Sequence, residues 1–173
     1  RTVLTAGAVL AVLLLAGGWL FSHPMSVSAN QSVILLPAAM YHSVTDAGDS
    51  PSQYVISPSM LESDLQYLQA HGREMVTIHD LLAYVQNGAA LPEKPVLLTF
   101  DDGYYNNYKY AYPLLKQYGM RAVLSPVASL TERSSQTDEA EQEAWSYCTG
   151  RELREMADSG VFEIQNHSYD FHE

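Results

Sequence analysis

The chain opens on an uncharged apolar run, Thr2 to Phe21, and then settles into alternating apolar and polar segments. Crossing a bilayer takes about 20 residues in a helix, so the run predicts one N-terminal transmembrane helix. Gly17-Gly18 and the lack of any charged spacing leave it no polar face to show to water. It reads as a retained anchor, or as a signal segment cleaved near Ala29, where Val27-Ser28-Ala29 offers small residues. Ser22 to Ser32, with Pro24, reads as a linker, and the folded domain begins at Val33.

From there strands and helices alternate. Val33 to Leu36 and Met40 to His42 read as extended, Pro58 to Ala70 as an amphipathic helix, Met75 to Ile78 as a strand and His79 to Gln86 as a helix. Pro58 suits a first helical turn, where its missing N–H costs nothing. Pro95 opens Val96 to Phe100, an unbroken apolar run that fits a strand covered on both faces. A helix over Tyr105 to Tyr118, stopped by Gly119, leads to a strand at Ala122 to Leu124. Thr131 to Ala144, rich in Glu, Asp, Ser and Gln, reads as a solvated loop. A helix over Arg151 to Ser159, ended by Gly160, then feeds a short strand, Val161 to Ile164. This alternation predicts a parallel α/β fold, without deciding between an open sheet and a closed one.

With 173 residues and 47% hydrophobic content, the chain can bury one substantial core. Its net charge of −11 and lack of a basic patch argue against nucleic acid as a partner. Cys148 is alone, so no internal disulfide framework is available. The first residue is Arg1, and Glu173 follows directly on a candidate metal ligand, so both ends read as cut from a longer protein.

Two runs carry chemistry: Thr99-Phe100-Asp101-Asp102-Gly103 and His167-Ser168-Tyr169-Asp170-Phe171-His172. Two imidazoles and a carboxylate make a three-ligand zinc site with a position left for water, and a second carboxylate can take that water's proton. On a straight helix, residues five apart diverge by about 140°, so His167 and His172 cannot both reach one ion from a regular helix. His167 then leaves a strand end, and His172 comes from the turn that follows. Asp-Asp-Gly before a helix is also an ordinary cap and turn, so the first run alone leaves both readings open.

At these residues the chain resembles the polysaccharide deacetylases, carbohydrate esterase family 4, with their NodB homology domain. Thr99 to Gly103 matches the first family motif letter for letter, and His167-Ser168 opens the second, which here carries one extra residue before His172. That longer spacing resembles the poly-N-acetylglucosamine deacetylases. The resemblance implies an irregular (β/α) barrel, of which this chain would hold the earlier part. The organisation is then an anchor or signal segment at 1–21, a linker at 22–32 and an incomplete deacetylase domain at 33–173. The resemblance also implies Asp102, His167 and His172 as ligands of a divalent metal, zinc, with Asp101 as general base. The backbone N–H of Tyr104 would hold the oxyanion, Ser168 would orient the loop, and His42 would sit at the rim of the site. The implied activity is removal of N-acetyl groups from N-acetylglucosamine-containing polysaccharide outside the cell membrane.

Two rival readings stay on the table. His172-Glu173 could begin the H-E-x-x-H of a zinc protease, and the tyrosines after Asp102 would suit a tethered carbohydrate-binding protein without catalysis. Asp101 and Asp102 as a glycosidase acid pair fits less well, because such carboxylates flank a bond at about 5–9.5 Å.

Overall fold

A computed structural model describes residues 34–46, 54–137 and 145–171. Its strands are β1 (Ala38–Tyr41), β2 (Ser43–Val44), β3 (Val55–Ile56), β4 (Glu74–Val76), β5 (Pro95–Asp102), β6 (Ala122–Pro126) and β7 (Phe162–Ile164). The helices are α1 (Pro58–Ala70), α2 (Ile78–Asn87), α3 (Tyr112–Gln117), α4 (Ala128–Gln136) and α5 (Gly150–Asp158), with a π-helical stretch at Asn107–Ala111 running into α3. The main sheet is parallel, ordered β1-β5-β6-β7, with β4 paired to the opening residues of β5. β2 and β3 form a separate two-stranded parallel pair.

β5 is the centre of the sheet. Val96, Leu98 and Phe100 are almost wholly buried, while Leu97, Thr99 and Asp101 on the other face are half-buried. Phe100 stacks on Tyr41 at 5.1 Å and meets Phe162 edge-on at 5.4 Å, so β1, β5 and, across β6, β7 share one aromatic seam. Leu61 and Leu65 of α1, Leu115 of α3 and Met156 of α5 close over that seam. Non-directional apolar burial of this kind holds the helices to one face of the sheet.

Helix starts are set by side-chain caps. Ser57 Oγ accepts from Met60 N–H at the start of α1, just ahead of Pro58. Thr149 and Glu152 form a reciprocal pair at α5: Thr149 N–H donates to Glu152 Oε2 at 2.8 Å and Glu152 N–H to Thr149 Oγ1 at 3.3 Å. At α2, Thr77 N–H donates to Asp80 Oδ2 at 2.9 Å, and Arg121 reaches the same oxygen.

The α/β alternation stands, with corrections. Residues 34–37 are irregular, and the first strand is Ala38–Tyr41. The segment expected as a loop from Thr131 is helical to Gln136, within α4, whose first turn is bonded through Ala128 and Ser129 N–H to the loop after His167. Residues 138–144 of that segment lie outside the described residues, as do the proposed transmembrane run Thr2 to Phe21 and the linker. Among the described residues no helix is long and apolar enough to cross a membrane.

Candidate active site

The β5 strand ends in the two aspartates. Asp101 pairs in register with Ser125 and Asp102 with Pro126, so both sit at the carboxyl end of the sheet, where open and barrel α/β folds gather their chemistry. Asp102 is in the left-handed backbone region at φ 69°, a conformation Asp tolerates better than most side chains. Gly103 follows at φ 77°, and a Cβ there would lie 2.6 Å from Pro126 Cβ and 2.9 Å from its Cα. Only glycine fits the turn against β6. The alternation of the strand carries through to Asp102, whose buried carboxylate comes to 3.8 Å from His167 Nε2.

His167 comes three residues after the end of β7 at Ile164, so it lies in the loop beyond the strand. Its backbone N–H donates to Pro126 O at 3.1 Å, and the residues after it run as a loop along the start of α4. Ala128 N–H donates to Ser168 O at 2.9 Å and Ser129 N–H to Tyr169 O at 2.8 Å. Ser129 Oγ donates to Asp170 Oδ1 at 2.7 Å, and Tyr169 OH to Glu132 Oε2 at 3.2 Å. Ser168 Oγ accepts from Phe171 N–H at 3.2 Å and lies 3.1 Å from Phe171 O, closing the turn on itself. The described part of this run, His167 to Phe171, is therefore loop and not helix. His172 lies outside the described residues.

His42 follows β1. Because Tyr41 pairs with Phe100, the register carries His42 alongside Asp101, with its ring edge-on to Tyr54 at 5.1 Å. Asn106 ties this corner together, accepting from Val44 N–H at 3.0 Å and donating through Nδ2 to Ser43 Oγ at 2.8 Å from a fully buried position.

Tyr104 is held by a second segment. Tyr147 pairs with it as an antiparallel bridge, Cys148 N–H donates to Gly103 O at 2.8 Å, and Tyr105 N–H donates to Ser146 O at 2.8 Å. The two tyrosine rings stack at 5.0 Å. Burial, then the proximity of Tyr147 and Asp102, pushes the Tyr104 phenol well above its ordinary value, so it stays protonated. Burial likewise pushes up the Cys148 thiol, which stays neutral and donates to Tyr104 O at 3.3 Å. Sequence reasoning missed Asn106, Ser146, Tyr147 and Cys148. The only available signal was the short alternation Trp145-Ser146-Tyr147-Cys148, too brief to mark a strand.

Of the sequence-derived site residues, the structure brings Asp101, Asp102, Tyr104, His167 and His42 to one rim. Among the described residues no group of three His, Cys, Asp or Glu side chains gathers closely enough to hold a metal. Asp102 and His167 form a pair, a carboxylate oxygen facing an imidazole nitrogen, which is the mixed donor chemistry zinc accepts.

This rim coincides with a sequence match. The family model for polysaccharide deacetylase matches residues 88–173, which takes in both motifs. The chain belongs to the polysaccharide deacetylase family. It is 31% identical over 136 residues to YxkH of Bacillus subtilis (strain 168), which bears the family's name, covering 78% of this chain and 43% of that protein. It is 29% identical over 140 residues to the poly-beta-1,6-N-acetyl-D-glucosamine N-deacetylase of Escherichia coli (strain K12), covering 78% of this chain and 21% of that one. In structure it resembles a de-N-acetylase from Aggregatibacter actinomycetemcomitans with a TM-score of 0.69 and 31% identity, over 80% of this chain and 56% of the other. The chain thus spans less than half the length of the curated relatives named here.

Proposed function

We propose that this chain carries the earlier part of an N-deacetylase that hydrolyses the acetamide of N-acetylglucosamine units in a polysaccharide. The observation that carries the reading is the approach of the buried Asp102 carboxylate to His167 Nε2 at 3.8 Å, beside Asp101 at the carboxyl end of β5. Asp102, His167 and His172 would hold a divalent metal, zinc, which when bound supplies an acidified water and a polarised acetamide carbonyl. Asp101, half-buried and on the opposite strand face from Phe100, accepts the proton of the attacking water. The N–H of Tyr104 donates to the developing oxyanion, and His42 borders the same rim.

The poly-N-acetylglucosamine name of the Escherichia coli relative supports a β-1,6-linked polymer as substrate. The apolar run Thr2 to Phe21 supports a protein anchored to the cell membrane with its domain outside, or one secreted after cleavage near Ala29. Asp101→Asn in the full-length protein tests the acid–base assignment. It is expected to keep bound metal and to cut acetate release from N-acetylglucosamine oligomers by about 10²-fold or more. Loss of metal in that variant would mean that the two aspartates have exchanged roles.

A further inference from the structure

The Tyr104–Tyr147 pair is of the wide antiparallel kind. Its two hydrogen bonds lie on either side, Cys148 N–H to Gly103 O and Tyr105 N–H to Ser146 O, and each is 2.8 Å long. In such a pair the facing residues direct their own N–H groups away from the partner segment, and their side chains come close, as the stacked rings do at 5.0 Å. The Tyr104 N–H and the Gly103 C=O belong to one planar trans peptide, so they point in opposite directions. Whatever holds the carbonyl aims the N–H.

We propose that the Ser146–Tyr147–Cys148 segment is a positioning strap for the oxyanion donor, in which Cys148 N–H grips Gly103 O and thereby fixes the direction of Tyr104 N–H. The inference rests on the deacetylase reading and assigns it three residues outside both sequence motifs. Three further features agree with a positioning role. Gly103 is pressed against Pro126, so the peptide cannot shift towards β6. Cys148 Sγ and Asn107 N–H both donate to Tyr104 O, which fixes the next peptide as well. Cys148 is fully buried and Thr149, directly after it, caps α5, so the strap is tied to a helix at its far end. A preset donor direction matters because oxyanion stabilisation depends on dipoles that need not reorganise during the reaction. Accepting a hydrogen bond at the carbonyl also polarises the peptide and strengthens its N–H as a donor.

The test replaces one atom group in the full-length enzyme. Cys148→Ala is compared with the same protein carrying lactic acid at position 148, which differs only in having an ester oxygen where Cys148 N–H stood. The ester protein is expected to lose about tenfold in kcat, part of the 10²–10³ that a deleted oxyanion donor costs, with KM unchanged and metal retained. A tetrahedral phosphonate analogue of the acetamide is expected to bind more weakly by the same factor. Equal kcat in the two proteins overturns the proposal. Tyr147→Ala and Tyr147→Phe provide a second test should the ester protein fail to fold. Loss of the ring is expected to lower kcat about tenfold without moving KM, and Phe, which keeps the stack, to restore most of it. A loss in KM alone, or no rescue by Phe, would show that the strap does not aim the donor. If the unmodified protein releases no acetate, the deacetylase reading falls; if it does and the variants match it, only the strap falls.

Discussion

Asp102 and Gly103 concentrate the conformational demands of the site in two residues. Asp102 is the only non-glycine residue with positive φ among the described residues, and Gly103 turns against Pro126 with no room for a methyl group. Gly103→Ala is therefore expected to cost about 2 kcal/mol or more, combining a left-handed alanine with a steric clash against backbone. Urea unfolding of both proteins measures it, and a difference below about 0.5 kcal/mol would mean that β6 yields easily at Pro126. At this scale the sequence was most informative. Thr99 to Gly103 is a contiguous motif, and the strand before it positions both carboxylates. Asn106 and Cys148 were not legible, because their partners are Ser43, Val44, Gly103 and Tyr104, and every one of those contacts spans more than 40 residues of sequence.

Among the elements, α1 spans the predicted residues and β5 contains the predicted strand, since a long apolar period and Pro at the first turn are local signals. α4 was not legible because a polar helix of nine residues gives no strong apolar period, and its first turn is held by bonds to the loop after His167. The π-helical stretch at Asn107–Ala111 was read as ordinary helix, since one extra residue per turn leaves no mark on composition. Carboxylates fasten α2 to the sheet. Burial alone would raise Glu163, but bonds from Thr77, His79 N–H and Gln165 hold its carboxyl below the usual range. Asp80 is likewise held down, against burial, by Thr77 and then Arg121. A depressed folded-state pKa gives stability that is present above the unfolded value and lost as pH falls through the folded one. The Tm is therefore expected to drop as pH falls below about 4, and Asp80→Asn to flatten part of that limb. A Tm independent of pH across that window would show that these contacts contribute nothing.

At the scale of the whole molecule, the parallel sheet ends on β1 and β7, and no pairing joins those two strands among the described residues. The irregular barrel expected from the family was not legible as a closed structure, because composition and period report strand burial and not closure. The N-terminal run belongs to this scale too. If Thr2 to Phe21 is a retained anchor, the native protein sediments with membranes and resists salt extraction. A mature N-terminus at Asn30, read by protein sequencing, would instead mean cleavage after Ala29.

Acetate release from a β-1,6-linked N-acetylglucosamine oligomer, measured beside zinc content for the full-length protein and its His167→Ala variant, tests the central claim most directly. One equivalent of metal and steady acetate release are expected in the parent. In the variant the metal is expected to be lost, because only two protein ligands remain, and acetate release to fall with it. Full acetate release by His167→Ala, or a parent that binds no metal, would contradict an active site built on Asp102 and His167.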